Sequence, residues 1–467
     1  LVDADIPDRI KDGYGISREL IDLAAEAGID TIITCDNGIS AGEQIRYAKE
    51  LGMTVLVTDH HEVPYEEEED GTICSILPPA DAVVNPKQPG CPYPFKGICG
   101  AMVAFKVIQG LYEKLGIPGK ETEELIPFAA IATVGDVMDL KDENRILVKD
   151  GLRRLQNPEN EGLKALIRVN NLENREISAY HIGFVIGPCM NASGRLSTAK
   201  RALRLLLAED PSGAATLAQD LKDLNDSRKD MTAKGVEEAV EMVEHTDLKN
   251  DRVLVIYLPD CHESLAGIIA GRVRERYVRP VFVLTKGEEG VKGSGRSIEA
   301  YHMFQELVKC KELLTKFGGH PMAAGLSLPE ENVEAFRRKL NENCTLTQDD
   351  MTEKIVIDVP MPMSYVTIPL IRQLSLLEPF GKGNTKPVFA QKDMKVLNFR
   401  VLGKNRNVVK MNLTDDHGFR AEGIWFGDGD AFASRLQEKE KWDMIYYPSI
   451  NSYMGRDSIE MVIQNIR

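Results

Sequence analysis

The sequence predicts an α/β protein with two α/β lobes, a long connecting helix and a terminal β-barrel. Short apolar runs alternate with helical stretches before residue 140 and again after residue 250, as in parallel sheets covered by helices. Residues 212–244 keep helical periodicity with few breakers, which predicts one long helix exposed on most faces. From about residue 354, short runs with alternating apolar positions, the first at 355–359, follow one another. That pattern favours a small barrel of the oligonucleotide-binding type.

Composition narrows the possible functions of the chain. Its 467 residues are enough for roughly three domains. A net charge of −15 argues against indiscriminate nucleic-acid binding, so any nucleic-acid surface must be local. The eight cysteines are scattered without a CxxC pair, which favours reduced thiols and a cytoplasmic location. No apolar run reaches the length of a membrane helix.

The first lobe is expected over residues 1–210, and its elements follow from capping and periodicity. Ser17 is a good N-cap for a helix at 17–27, which Gly28 ends. The remaining predicted elements are strands at 31–35, 53–58 and 81–85 and helices at 41–51, 101–115 and 121–133. The connecting helix is expected at 211–246, the second lobe at 247–345 and the barrel at 354–467.

Polar side chains follow the predicted strands of the first lobe. Asp36 comes after one strand, Asp59, His60 and His61 come after the next, and Asp136 ends another apolar run. Ligands of α/β sheets bind at the carboxyl ends of the strands, and catalytic metals are held by ligands from separate loops. An Asp-His-His triplet alone is as readily a polar strand end, but its two neighbours favour a metal site.

Two further regions favour anion binding. Residues 186–195, which include Asn191 and Arg195, are expected to form a Gly/Asn-rich turn ahead of a basic helix. In the second lobe, Ser294-Gly295-Arg296 and Gly318-Gly319-His320 place a cation beside glycines, where backbone amides can approach an anion. Either one alone could be a structural turn, but both together favour phosphate binding.

The barrel carries a predicted basic strip made of Lys395, Arg400, Lys404, Arg406 and Lys410. Phe399 and Phe419 lie close to this basic strip in sequence and are candidate stacking platforms for bases. Placement in the barrel core is an equally good interpretation of both phenylalanines.

Taken in order, the motifs resemble those of the DHH phosphoesterases. With the terminal barrel, the chain resembles the RecJ family of single-strand-specific DNA exonucleases along essentially its whole length. The motifs are Ile6-Pro7-Asp8-Arg9, Asp36-Asn37-Gly38, Asp59-His60-His61, Gly135-Asp136, Asn191-Ala192-Ser193-Gly194-Arg195, Ser294-Gly295-Arg296 and Gly318-Gly319-His320.

The resemblance implies processive 5′→3′ hydrolysis of single-stranded DNA to mononucleotides with Mn²⁺ or Mg²⁺, in DNA repair and recombination. Asp36 would bridge two ions, His60 and Asp136 would complete one of them, Asp59 would support the site or ligate, and His61 would donate to the scissile phosphate. The residues expected to contact the substrate are Arg9, Asn191, Arg195, Ser294, Arg296, Gly318, Gly319 and His320, with Arg9, Ser294 and Arg296 at the 5′ phosphate. The resemblance also implies that the protein is a monomer and binds no membrane. Its candidate partners are a single-strand-binding protein and a RecQ-type helicase.

The chain departs from the family pattern in two places. An Asp-x-Asp motif expected ahead of Ile6 is absent, and Asp3 and Asp5, which have that spacing, lie too close to Ile6 to replace it. We therefore expect a chain cut within its first domain, with one well-bound metal ion and impaired hydrolysis. A basic residue that often follows Gly-Pro before the Asn-Ala motif is Cys189 here.

Two alternatives remain at this point. A DHH enzyme that acts on short oligoribonucleotides or cyclic dinucleotides would share both lobes, but the barrel and the long helix favour long strands. A non-catalytic DHH scaffold that binds DNA would fit the missing motif, but it would have no use for the five site residues Asp36, His60, His61, Asp136 and His320.

Overall fold

The structure is a computed structural model that describes residues 2–7, 15–67, 73–287, 290–453 and 455–467. Arg9 therefore lies outside the described residues. The chain forms two compact units, Leu1–Asp136 with Asp150–Glu353, and Val137–Lys149 with Lys354–Arg467.

The first unit begins with a small parallel sheet. Its strands, with those of a separate two-stranded sheet, are β1 (Thr31–Cys35), β2 (Thr54–Thr58), β3 (Tyr65–Glu67), β4 (Ile73–Ser75) and β5 (Ala82–Val84). β2 lies in the middle of the order β1-β2-β5 and is parallel to both neighbours, while β3 pairs with β4. Val55 and Val57 of β2 are fully buried, because alternate side chains of a strand face the same layer.

Helices make up most of the rest of this part. They are α1 (Arg18–Glu26), α2 (Gly42–Glu50), α3 (Gly100–Leu115), α4 (Ile126–Gly135), α5 (Asp142–Leu155), α6 (Glu161–Val169), α7 (Ala179–His181), α8 (Gly187–Leu196), α9 (Lys200–Leu206) and α10 (Pro211–His245). Ser17 caps α1 by accepting a hydrogen bond from the Leu20 backbone N. Asp210 caps the 35-residue α10 in the same way through Gly213. The predicted helix at 121–133 is a 3-10 segment, Gly119–Leu125, followed by α4.

The turn expected at residues 186–195 is wrong, because this segment is helical. A π-helix, Ile182–Ile186, continues directly into α8. Pro188 directly follows the π-helical segment, where the regular i→i−4 ladder is already interrupted, so its missing backbone N–H is tolerated within the continuous helical stretch. A Cβ at Gly187 would meet the Ile182 carbonyl oxygen at 2.9 Å, so a glycine fits there. Glycine and asparagine disfavour an isolated helix, but tertiary packing overrides that preference.

The second lobe lies in the same unit. Its elements are β6 (Leu254–Tyr257), α11 (Ala266–Tyr277), β7 (Val281–Gly287), β8 (Gly290–Arg296), α12 (Met303–Val308), β9 (Lys316–His320), β10 (Ala323–Leu328) and α13 (Val333–Asn343). The strand order is β6-β7-β8-β10-β9, with β6 and β7 parallel and the other pairs antiparallel. The two glycine-flanked motifs therefore lie in strands β8 and β9. A Cβ at Gly295 would meet Met303 and Phe282 at 2.5 and 2.7 Å, which explains a glycine inside a strand.

The second unit contains a closed five-stranded barrel with the order β11-β12-β13-β15-β14. Its elements are α14 (Ile368–Leu374), β11 (Phe389–Leu402), β12 (Val408–Thr414), β13 (Arg420–Phe426), α15 (Gly429–Leu436), β14 (Lys441–Tyr453) and β15 (Arg456–Ile466). Trp442 and Tyr446 are among the large side chains buried inside it. The run at 355–359 is not a strand, since only Val359 forms a single bridge, to Phe389.

Residues 137–149 belong to this second unit although they lie far from the barrel in sequence. The Leu140 backbone N donates to the Lys382 carbonyl at 2.7 Å. Arg145 Nη2 donates to the carbonyls of Leu376, Leu377 and Glu378 at 2.9 to 3.0 Å. The α5 helix thus contains the boundary between the units.

Within the described residues, no helix combines the length and the apolar character needed to cross a membrane. All eight cysteines are free thiols.

Candidate active site

Asp36 lies directly after β1 in a tight turn. Its backbone N donates to the Thr58 carbonyl at 3.0 Å, so the pairing with β2 continues through it. Its φ is +65°, a left-handed conformation that costs a non-glycine residue on the order of 1–2 kcal/mol. Gly38 follows with φ +110°, and a Cβ there would meet Thr34 Oγ1 at 2.8 Å. This strained turn sets the direction of the Asp36 carboxylate.

His60 lies between two carboxylates. Its Nε2 is 3.1 Å from Asp36 Oδ1 and 3.4 Å from Asp136 Oδ2. The His60 side chain is buried, whereas both aspartates are about half exposed. Asp136 reaches this place as the C-terminal cap of α4. Residues from β1, β2 and α4 therefore meet at the carboxyl end of the parallel sheet.

The donor set fits a divalent cation. Ligand atoms of Asp36, His60 and His61 all lie within 4.8 Å of one another. Carboxylate oxygen and imidazole nitrogen suit manganese, and carboxylates also suit magnesium. The first residue of α3 is Gly100, where a Cβ would meet Asp36 Oδ1 at 2.2 Å. The backbone there comes so close to the carboxylate that only glycine leaves Asp36 in place.

Asp59 is turned away from these ligands and is 1% exposed. Its Oδ2 accepts from the Ile39 backbone N at 3.0 Å. Its Oδ1 accepts from the backbone N of His60 at 2.7 Å and of His61 at 3.2 Å, and from His61 Nδ1 at 2.7 Å. Of the two roles that the resemblance left open, these contacts favour support over ligation, because both oxygens are already in use.

This arrangement changes the protonation of both partners. Burial alone would raise the pKa of Asp59, but the hydrogen bonds from His61 and from the three backbone N–H groups outweigh it and lower that pKa. The hydrogen bond to Asp59 raises the pKa of His61. The His61 ring is 58% exposed, and its hydrogen bond to Asp59 orients it at the edge of the metal cluster.

In the second lobe, Ser294 and Arg296 lie together against α11. Arg296 Nη1 donates to Ser294 Oγ at 3.1 Å. A Cβ at Gly267 of α11 would meet Arg296 Nη2 at 2.7 Å and Ser294 Oγ at 2.8 Å. Arg296 and His320 are both register partners of Ala323, from the two strands that flank β10. Directly opposed residues share a face of a sheet, so Arg296 and His320 lie on one face.

Arg195 connects the first lobe to this region. Its Nη1 donates to the carbonyl of Ser264 at 2.9 Å, just ahead of α11. Asn191 is exposed one turn earlier on α8. Asp5 pairs instead with Lys200 at 2.8 Å, and neither Asp5 nor Asp3 belongs to the metal-ligand cluster found among the described residues.

The basic strip expected on the barrel is largely neutralised. Lys395 pairs with Glu440 at 3.2 Å and Lys410 pairs with Glu460 at 3.1 Å. Arg406 makes a two-pronged pair with Asp430. Arg400 and Lys404 have no carboxylate within ion-pair distance in the described part of the chain. Phe399 and Phe419 are half-buried against the barrel core, in agreement with the core interpretation.

Three regions of the chain match known protein families. Residues 1–133 match the DHH family, N-terminal domain, residues 250–345 match the DHHA1 domain, and residues 357–465 match the RecJ OB domain. The chain is 33% identical to the single-stranded-DNA-specific exonuclease RecJ of Haemophilus influenzae, over its whole length and 82% of that protein. The chain belongs to the RecJ family.

Two further RecJ proteins extend the comparison. The RecJ of Bacillus subtilis is 36% identical over 99% of this chain. The crystal structure of RecJ from Thermus thermophilus in complex with Mn²⁺ superposes with a TM-score of 0.82 at 28% identity, over 97% of this chain. The chain spans only 57% of the Bacillus protein and 63% of the Thermus chain.

Sequence reasoning missed two residues that shape this RecJ-family site. Asn85 is buried after β5 and its Nδ2 donates to the His61 carbonyl at 3.0 Å. It could have been found, because it follows its strand as Asp36 and Asp59 follow theirs. Gly100 could not, because only its contact with Asp36 gives a glycine meaning at the start of an ordinary helix.

Proposed function

We propose that this chain carries the catalytic part of a metal-dependent exonuclease that hydrolyses single-stranded DNA from the 5′ end to mononucleotides. The observation that carries the proposal is His60 Nε2 between the carboxylates of Asp36 and Asp136, at 3.1 and 3.4 Å, beside the His61–Asp59 pair. Such a site has the ligands for a divalent ion and an oriented histidine next to it.

Each group has a definite task in this proposal. Asp36, His60 and Asp136 hold Mn²⁺ or Mg²⁺, and the bound cation supplies Lewis acidity at the scissile phosphate. Asp59 is a positioning residue that keeps Nδ1 of His61 protonated. His61 then donates to a non-bridging phosphate oxygen, where negative charge develops in the transition state.

The strand is held by groups outside the metal cluster. Arg9, Ser294 and Arg296 contact the 5′ phosphate, and His320 with Gly318 and Gly319 holds a phosphate from the second lobe. Asn191 and Arg195 contribute from α8. We assign residues 1–210 to the DHH domain, 211–246 to the connecting helix, 247–345 to the substrate-binding domain and 354–467 to the strand-binding barrel.

The proposed location, oligomeric state and partners follow from the same function. The free thiols fit a cytoplasmic monomer, and a single-strand-binding protein and a RecQ-type helicase are the partners that a DNA-repair nuclease of this type would need.

The test compares substrates in the presence of Mn²⁺. The chain is incubated with a long single strand labelled at its 5′ end, the matching duplex, an oligoribonucleotide and a cyclic dinucleotide. We expect mononucleotides from the single strand first, no cleavage of the duplex, and loss of the reaction in His60→Ala.

Titration with Mn²⁺ separates binding from turnover. Calorimetry should show a site in the wild-type chain that Asp36→Asn removes. A faster reaction on the dinucleotide or oligoribonucleotide would transfer the assignment to another DHH phosphoesterase. Strand binding that needs no metal, together with no turnover of any substrate, would instead indicate a scaffold.

A further inference from the structure

Arg228 is a half-buried cation on α10 without an anionic partner. Its Nε donates to Asn225 Oδ1 at 3.1 Å. Among the described residues, no carboxylate lies within ion-pair distance of its guanidinium, and its two Nη groups donate no hydrogen bond. The nearby Asp226 is already paired with Lys222 and Lys229. A half-buried charge without a counter-charge costs free energy, so its retention needs a reason.

The orientation of Arg228 is set by a chain of hydrogen bonds. Asn225 is fully buried, and its Nδ2 donates to Cys189 Sγ at 3.4 Å. Cys189, also fully buried, donates its thiol hydrogen toward Asn170 Oδ1 at 3.7 Å. Because each donor in the series meets an acceptor, Asn225 cannot turn, and Nε of Arg228 stays anchored while the two Nη groups remain available.

A second arginine, Arg272 of α11, acts on the charge of Arg228 and is itself paired with Glu275 at 3.4 Å. Burial lowers the pKa of Arg228, a negative charge on Cys189 would raise it, and the charge of Arg272 on α11 lowers it. Farther along α10, a Cβ at Gly235 would meet Ile269 of α11 at 2.6 Å, so the two helices are in close contact. Arg296 lies against this same α11, which puts arginines from α10, α11 and β8 around one helix.

We propose that Arg228 contacts a phosphate of the bound strand, in an orientation that Cys189 sets through Asn225. The cysteine cannot bind an anion from its buried position, but through Asn225 it holds an arginine from a different helix. This assignment rests on the proposed function, since it needs a single strand as the ligand.

Equilibrium binding of a 5′-phosphorylated oligothymidylate tests the assignment. Fluorescence anisotropy is measured in EDTA, which prevents hydrolysis, at several salt concentrations. Arg228→Gln should weaken binding by about tenfold or more, the usual effect of losing a charge-assisted hydrogen bond. The slope of log K against log salt should fall by about 0.7, as expected when one phosphate contact to a single strand is lost. Arg228→Lys should keep most of the slope and part of the affinity.

Lys229→Gln is the matched control, because it removes one positive charge from the neighbouring position of the same helix. It should bind within about twofold of wild type, since an exposed charge contributes little. The assignment is overturned if Arg228→Gln binds the strand as well as Lys229→Gln does and keeps the wild-type salt slope. If Arg228→Gln keeps the wild-type salt slope but unfolds at a lower temperature, Arg228 is a packing residue. A wild-type chain that does not bind the strand at all would overturn the proposed function as well.

Discussion

Replacing Asp59 by Asn should destabilise the chain by about 2–4 kcal/mol. If the amide oxygen takes the place of Oδ1, it keeps the three donors from His60 and His61, but its NH₂ group then faces the Ile39 N–H, which loses its acceptor. One charge-assisted bond, worth about 1.5–3 kcal/mol, is lost, and the other three become weaker with a neutral acceptor. Burial of the site prevents water from replacing them.

The effect should depend on pH in a defined direction. The pKa of Asp59 is lowered in the folded chain. The contribution of Asp59 to the free energy of unfolding is therefore complete above its unfolded pKa, near 3.9, and disappears as the pH falls through its folded pKa. The pKa of His61 is raised, so its contribution is complete below about 6.5 and is lost as the pH rises through its folded value. The difference between wild type and Asp59→Asn should therefore be largest between about pH 4 and 6.5.

Urea unfolding in EDTA, followed by circular dichroism from pH 3 to 8, measures this difference. Asp81→Asn is the control, because Asp81 also accepts from a backbone N, that of Val55, and from a cation, Lys49, but is exposed. Its loss should be smaller. A difference below about 1 kcal/mol for Asp59→Asn, or one that does not change with pH, would refute a buried carboxylate that organises the site.

Three other substitutions test the site and the barrel. Gly100→Ala should lower Mn²⁺ affinity in calorimetry, because its Cβ would overlap the Asp36 carboxylate at 2.2 Å. Gly319→Ala should lower the unfolding temperature and impair strand binding, because its φ is +155° and its Cβ would meet the Ala323 carbonyl at 2.5 Å. Arg400→Ala should weaken single-strand binding and reduce its salt dependence, because Arg400 has no ion-pair partner among the described residues.

Each of these has a matched control in the same element. Gly110→Ala in α3 and Gly318→Ala in β9 meet nothing within 4 Å, so the first should leave metal binding unchanged and the second should leave the unfolding temperature unchanged. Arg406→Ala removes a cation that is already paired with Asp430 and should change binding less than Arg400→Ala. Equal effects within any pair would contradict the steric or electrostatic reason given for it.

Much of the first lobe can be predicted from the sequence because parallel sheets obey a simple rule. Strands that alternate with helices bring their carboxyl ends to one edge, and this rule makes Asp36 and His60 neighbours. Asp136 joins them from the C-terminal end of helix α4, which the rule does not predict. Their atoms are within hydrogen-bond or ion-pair distance in the structure. Capping is equally predictable, since Ser17 acts on a backbone N only three residues away.

The predictions that failed depend on contacts distant in sequence. The Gly/Asn-rich segment at 186–195 is helical because its small residues, such as Gly187, Cys189 and Ala192, are buried by packing. Three of the five cations of the basic strip are paired with Asp430, Glu440 and Glu460, none of which belongs to the strands that carry it. A local pattern cannot report a partner that only the folded chain brings near.

The assignment of residues 137–149 to the barrel unit has a consequence for experiments that divide the protein. The chain leaves the first unit immediately after Asp136 and returns at Asp150. A truncation before residue 354 would strip Leu140 and Arg145 of the carbonyl groups that they bind, and the freed segment would begin one residue after Asp136, whose carboxylate lies 3.4 Å from His60 Nε2. Loss of activity in such a fragment would therefore have two explanations: a displaced Asp136 or a missing strand-binding surface. Point substitutions on the barrel, rather than its removal, are the way to measure what the barrel contributes.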